Sequence, residues 1–364
     1  MQQPETAKIL LDPYLEWLKK EGIPVVEDFG VDLFKIETKP WARLGINGAA
    51  VHPKGRGDFV NMFLLDLPPA AATVPQRHLY EEVIYVLEGR GSTAIEAADG
   101  RKHTFEWGPM SMFAIPLNAK YRHFNGSGSE RALLVATTSL PVVINLFHNA
   151  EFVFNNGWRF DERIGDDRYF SGEGDLTPAS HGHHLWETNF VPDIGAIELQ
   201  DYGRRGADGK NLKFVLADGV MHAHISEMPA GTYKKGHRHG PGICVMCITG
   251  HGYSLLWYEG EADARRVDWR HGTVFAPPDQ MFHQHFTTSP LPARYLATGL
   301  GSLRYPFCES QRVALSGGTS TSLKHGGNQV EYEDQFPWIH RLFEEEMKKA
   351  GVEVRMKKFI GKSP

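Results

Sequence analysis

The sequence is short of cysteine. It has three, Cys244, Cys247 and Cys308, in 364 residues. That is too few for a disulfide framework, so a reducing cytoplasm is the expected setting. Cys244-Val-Met-Cys247 has C-x-x-C spacing, but it lies inside an apolar, strand-like run and not at a helix start. Core packing is therefore the expectation for it, over redox or zinc chemistry. No apolar run approaches the ~18 residues of a membrane-crossing helix. The stretch MQQPETAKILLDPYLEW has no basic segment followed by a long apolar one, so no signal peptide is expected. Positive charge is not in excess either: Lys+Arg is 39 against Asp+Glu 44, a net charge of −5. Neither nucleic acid nor a membrane is an expected partner, and there is no helix-turn-helix or basic stripe.

What is present is a globular composition, 41% hydrophobic and 23% charged, in a chain long enough for two domains. Helical spacing of apolar residues is confined to the two ends, in 9–21 (ILLDPYLEWLKKE) and 335–351 (QFPWIHRLFEEEMKKAG). Between them, short runs rich in Val, Ile, Phe and Leu are broken by Gly, Pro, Asn and Asp. DFVNMFLLDL, EEVIYVLEG, RALLVATT and ICVMCITG are examples. This texture predicts an all-β protein, built as sandwiches or barrels.

The β region repeats. LPPAAATVPQRHLYEEVIYVLEGRGS (67–92) aligns without a gap to MPAGTYKKGHRHGPGICVMCITGHGY (228–253). FAIPLNAKYRHFNGS (113–127) aligns to FAPPDQMFHQHFTTS (275–289). His78 falls on His239 and His123 on His285. Two blocks in one order predict a tandem duplicated β domain. The expected division is a helical extension over 1–46, a first β domain over 47–150, a linker over 151–195, a second β domain over 196–305 and a helical tail over 306–364. The linker holds a His-rich stretch, Ser180-His-Gly-His-His184, expected to be a solvated loop.

With 18 His in the chain, about one His-x-His pair is expected by chance, so a lone pair carries little weight. Context adds to it. Residues i and i+2 of a strand share a face, so His237 and His239 project together, as do His283 and His285. If those strands are neighbours, three or four imidazoles converge. Neutral imidazole suits Fe, Mn, Ni, Cu and Zn.

At these residues the second repeat resembles the cupin superfamily. Gly231, five residues, then His237-Arg-His239, closed by Gly250, resembles that family's first motif. Gly272, five residues, Pro278 and then His283 resembles its second. Ile243 stands where the family has a ligating Glu, Gln280 where it has Gly, and Thr287 where it has Asn. The first repeat keeps His78, Glu82 and Gly89 but has Ala70, Gln76 and Tyr121 at the other key positions. The expected reading there is a metal-free barrel with His78, Glu82 and Tyr121 as a buried hydrogen-bonded cluster. A site using His78, Glu82 and His123 is the alternative.

The resemblance covers roughly 60–140 and 220–300. It implies two tandem double-stranded β-helix (jelly-roll) barrels, a bicupin, with helical ends. Three-histidine sites without the Glu occur in this family among thiol and gentisate-type dioxygenases. The resemblance thus implies a metal-dependent dioxygenase acting on a small organic or aromatic acid, with dioxygen as co-substrate. His237, His239 and His283 would hold Fe(II), with Mn, Ni, Cu or Zn as alternatives. His285 and Gln280 are the catalytic candidates, as hydrogen-bonding groups, with an acid–base or a structural role open for His285. Arg238, Tyr253, Trp257, Phe282 and Arg304 are the candidate pocket residues. The intact set lies in the second barrel, where gentisate-type enzymes use the first. The rival readings are a non-oxygenase metalloenzyme (isomerase, decarboxylase or lyase) and a non-enzymatic ligand-binding bicupin. A homo-oligomer is expected.

Overall fold

A computed structural model describes residues 11–97, 100–309, 311–312 and 317–360. Its strands follow the burial each one must satisfy. Lys102–Trp107 alternates, with His103, Phe105 and Trp107 buried and the residues between them exposed, as befits a strand with one face in water. Asn61–Leu67 and Ala132–Thr138 are buried along their whole length. Their continuous apolar runs reflect two covered faces, one on the barrel interior and one on the other barrel.

Two barrels result, each made of a large and a small sheet. The first combines an eight-stranded and a three-stranded sheet; the second combines a nine-stranded and a five-stranded one. The large sheets pack back to back. Val51, Met62, Leu64, Tyr85 and Val135 of the first meet Leu212, Phe214, Ile225, Met246 and Leu296 of the second in one core. The duplication is visible at that seam: the matched threonines Thr137 and Thr298 hydrogen-bond each other at 2.7 Å.

The segments outside the repeats do more than connect. Helix Pro13–Glu21 is started by the Asp12 side chain, which accepts from Leu15 N–H, and stopped by Gly22 at φ +70°. Residues 9 and 10 of the expected helical stretch lie outside the described residues. Residues 23–46, expected to be part of a helical extension, are mainly extended, with one 3-10 turn at Leu33–Lys35: Val25–Asp28, Gly30–Asp32 and Lys39–Trp41 are strands, and Gly30–Asp32 pairs with Thr273–Phe275 of the second barrel. The expected linker supplies Phe190–Val191, which pairs with Met112–Ile115 of the first barrel, and His184–Thr188, which joins the second. These edge pairings need partners far along the chain, so local patterning does not reveal them. In the tail, helix Pro337–Ala350 buries Ile339, Phe343 and Met347 against the outer face of the second barrel's small sheet.

The interiors differ. Phe63, Leu65, Ile84, Phe105 and Phe113 fill the first barrel, joined by Trp17 and Trp41 from the N-terminal segment. In the second, Val245, Leu256, Trp269, Phe275 and Met281 pack part of the interior, and the rest is polar.

Candidate metal centre

The imidazoles reach one place through sheet register. Gly236–His237 is a two-residue strand, and His237 sits directly opposite His283 on the antiparallel strand Phe282–Thr287. His239 follows two residues on, its carbonyl accepting from Gln280 N–H at 3.1 Å. The ring centroids of His237 and His283 are 4.1 Å apart and those of His239 and His283 4.7 Å. One nitrogen from each of the three lies within 4.8 Å of the others.

Two of the tautomers follow from hydrogen bonding. His239 Nδ1 lies 2.7 Å from the Gly240 carbonyl and His283 Nδ1 3.2 Å from the Met281 carbonyl. A carbonyl can only accept, so each Nδ1 carries the proton and each Nε2 presents a lone pair. His237 Nδ1 is buried without a hydrogen-bond partner. Burial, with the Arg205 charge next, pushes His237 well below its ordinary pKa; burial, with His239 next, does the same to His283; burial also lowers His239. Three neutral nitrogen donors, one with a ring nitrogen unspent, fit a divalent transition metal.

The other candidates fall elsewhere. His285 points inward beside the cluster, but its Nδ1 is held at 2.8 Å by Ser254 Oγ, which also accepts from the Trp269 indole at 3.0 Å. Gln280 is exposed, not directed at the cluster; its side chain reaches Asp279. Its backbone is left-handed at φ +57°, as is that of the matched Asn118 at +56°. That explains the family's Gly there and makes Gln280 a turn residue.

The five candidate pocket residues do not line the cavity at the cluster. Arg238 projects opposite to its histidine neighbours and pairs with Glu259 at 2.7 Å. Tyr253, Trp257 and Phe282 lie on the outer face, in the core around the C-terminal helix. Arg304 is held by Glu187 and Asp218. On strand Phe282–Thr287 alternation alone decides this: if His283 and His285 face inward, Phe282 faces out.

The cavity has a volume of about 150 Å³. Besides His237, His239 and Ile243, it is lined by Arg205, Lys213, Lys234, His183, His222 and His224, and by no Asp or Glu among the described residues. Lys234 Nζ donates to Tyr295 Oη at 3.2 Å. Arg205 donates to the Thr319 carbonyl and to Gln329 Oε1. His222 Nε2 and His224 Nδ1 share one hydrogen at 2.6 Å. His183, from the stretch expected to be a solvated loop, is buried with Nε2 3.2 Å from Tyr202 Oη.

A signal for these residues existed. The sequence has four His-x-His pairs, 181/183, 222/224, 237/239 and 283/285, where chance predicts about one. Each pair contributes a residue to the cavity or to the cluster. Lys213 and Arg205 carried no such mark.

In the first barrel, His78 Nδ1 donates to the Tyr80 carbonyl at 2.8 Å, and the Tyr121 hydroxyl lies 2.9 Å from His78 Nε2, with Glu82 at 3.3 Å from the same nitrogen. All three are buried. Cys244 and Cys247 are buried in different cores, on opposite faces of their strand, with thiols pushed up to about 12 by burial.

No protein-family model matches the chain, and neither does any curated protein. Solved structures do. A mutant of oxalate decarboxylase from Bacillus subtilis aligns with a TM-score of 0.50 at 12% identity, over 76% of this chain and 78% of that one. A formate complex of oxalate decarboxylase from Lactobacillus farciminis gives 0.49 at 13%, over 76% and 87%. The Bacillus subtilis enzyme studied for its Mn(II) centers gives 0.48 at 12%, over 76% and 78%. At such identities the likeness is one of fold. The chain has the bicupin fold, two cupin barrels in tandem, as its repeated motifs predicted.

Proposed function

We propose that this bicupin is a metalloenzyme that cleaves a carbon–carbon bond of a small carboxylic acid by decarboxylation, at a metal held by His237, His239 and His283. The observation that carries this reading is the pairing of three neutral imidazoles with a cavity lined by Arg205, Lys213 and Lys234 and by no carboxylate among the described residues. Such a lining favours an anion.

Mn(II) and Fe(II) are the candidate metals, because neutral imidazole donors suit both. A divalent ion would supply Lewis-acid polarisation of a carboxylate or carbonyl oxygen. The protein's own groups supply the rest. Arg205, Lys213 and Lys234 attract the anion and hold it away from bulk water. Loss of carbon dioxide leaves a carbanion that needs a proton. The hydrogen between His222 and His224 can shift from one ring to the other, so a proton accepted at one outer nitrogen is released at the other.

A second reading, a dioxygenase, is favoured by one feature. Ile243, at the position of the family's Glu, lines the cavity and leaves an all-histidine donor set. Turnover separates the two. Metal-loaded protein is incubated with small keto, hydroxy and dicarboxylic acids, with and without oxygen. Carbon dioxide released without oxygen uptake supports the decarboxylase. Oxygen consumed in step with substrate moves the assignment to the dioxygenase. Protein that retains no metal after reconstitution overturns both.

A further inference from the structure

We infer that Lys213, flanked by His222 and His224, forms a second anion subsite facing the three-histidine cluster, and that the substrate is a dicarboxylate whose acidic groups stand several bonds apart. This rests on the proposed reading that the cluster holds a metal and takes a carboxylate.

Placement comes first. Lys213 and His224 are direct partners in the pairing of Lys210–Leu216 with Met221–Met228, so their side chains share a face. Residues of the other parity, Leu212, Phe214, Ala223 and Ile225, are in the core between the barrels. Lys213, His222 and His224 therefore face the second barrel's cavity, which they line. They belong to the nine-stranded sheet, while His237 and His283 belong to the five-stranded sheet opposite. Facing sheets pack about 10 Å apart.

No carboxylate among the described residues is hydrogen-bonded to these charges. Among the described residues, Lys213 has no hydrogen-bond or ion-pair partner, and Arg205 and Lys234 bond only to neutral oxygens. Three cations lining one small cavity destabilise a fold unless an anion joins them.

The first barrel acts as an internal control. There Ala50 pairs with Phe63, and Phe63 with Ala136. In the second barrel Lys213 pairs with His224, and His224 with Ala297. Ala50 and Phe63 thus hold the places of Lys213 and His224, and both lie in the apolar filling of that barrel. The barrel architecture does not require a lysine and an imidazole there. They occur in the barrel that has the histidine cluster.

Size sets the remaining bounds. Subsites on two facing sheets call for carboxylates separated by a carbon chain and not bonded directly to each other. A cavity of about 150 Å³ matches one that holds a benzene-sized guest, so the occupant has roughly six to nine heavy atoms in all.

The test is calorimetric titration of Mn(II)-loaded protein with succinate, glutarate, oxalate and butyrate. Succinate or glutarate is expected to bind about tenfold or more tighter than butyrate, the scale of one charge-assisted hydrogen bond, and tighter than oxalate. Lys213→Met is expected to abolish the preference, bringing diacid affinity down to that of butyrate, while leaving metal content unchanged. Lys213→Arg keeps the charge and is expected to keep the preference, which guards against a folding defect in the first variant. Metal-loaded wild type that binds butyrate as tightly as the diacids, or a Lys213→Met protein that retains the preference, overturns the subsite and leaves the metalloenzyme standing. Protein that holds no metal, or binds no carboxylate, overturns both.

Discussion

Ser254 Oγ sits 2.8 Å from His285 Nδ1 and accepts from the Trp269 indole at 3.0 Å. Its counterpart in the first barrel repeats the arrangement: Thr93 Oγ1 lies 2.8 Å from His123 Nδ1 and accepts from Trp107 at 3.0 Å. The same three-residue network stands in a barrel with the histidine cluster and in one without it. Its recurrence assigns His285 a structural part under the cluster, in preference to catalysis.

That assignment predicts how Ser254→Ala behaves. The indole N–H and the imidazole would lose a shared partner in a dry interior, at a cost of about 1–3 kcal/mol. Urea unfolding followed by metal analysis checks it. The expected outcome is a lower midpoint with metal content unchanged, whereas loss of metal at unchanged stability would return His285 to the reacting groups.

Metal stoichiometry is expected to be one per chain, because the Tyr121 hydroxyl caps His78 Nε2 in the first barrel. His283→Ala is expected to weaken metal binding by more than about 100-fold, beyond the range seen when only an outer partner is lost. Tyr121→Phe should leave metal content alone and cost about 1–3 kcal/mol, since it removes the nearer hydrogen-bond partner of buried His78. Mass-spectrometric metal counts and denaturant melts on the three proteins decide this. Two metals per wild-type chain would contradict it.

Ile243→Glu places a carboxylate on the wall of the cavity. It is expected to slow metal loss to a chelator by roughly 10–100-fold, the usual scale for changes around a metal. It also introduces a negative charge, so diacid affinity is expected to fall. Chelator competition and the titration above read the two effects separately.

The pH dependence of diacid binding has a definite sign. Burial, with the Arg205 charge next, lowers Lys213 from 10.5 to about 8. Its ammonium is thus present below about pH 8 and lost above it, so glutarate affinity is expected to fall as pH rises through that value. Around it, burial lowers His183 to about 3 and holds His222 and His224 well below the usual range, so all three stay neutral in this window. Lys234, also lowered by burial, lines the same cavity, and Lys213→Met separates it: the variant should lose the dependence. The stability effect runs the other way. The unfolded chain binds this proton more tightly between about 8 and 10.5, so this group's contribution to stability rises with pH across that interval. Titrations between about pH 6.5 and 9.5, below the ordinary lysine value of about 10.4, are sufficient to see the binding effect.

The duplicated barrels were legible in the order of residues because each barrel repeats a pattern of strand, turn and glycine that must satisfy the same local geometry twice. The three clustered histidines were legible for a related reason: period-two spacing fixes a shared face wherever the segment is extended. Alternation also contained the correction to Phe282, which must point away from the cavity once His283 points into it. Other features depended on tertiary structure. Residues 30–32 complete the second barrel's sheet and 190–191 the first's, and pairing across such distances leaves no local pattern. Lys213 looks like an ordinary strand-surface lysine until a facing sheet turns its surface into a cavity wall. Composition, periodicity and the internal repeat determined a tandem pair of β domains and histidine pairs that share a strand face, and the cupin resemblance implied the barrels. The folding of distant strands into one enclosure decided which charges face that set, because burial and unpaired charge are properties of what surrounds a residue in space.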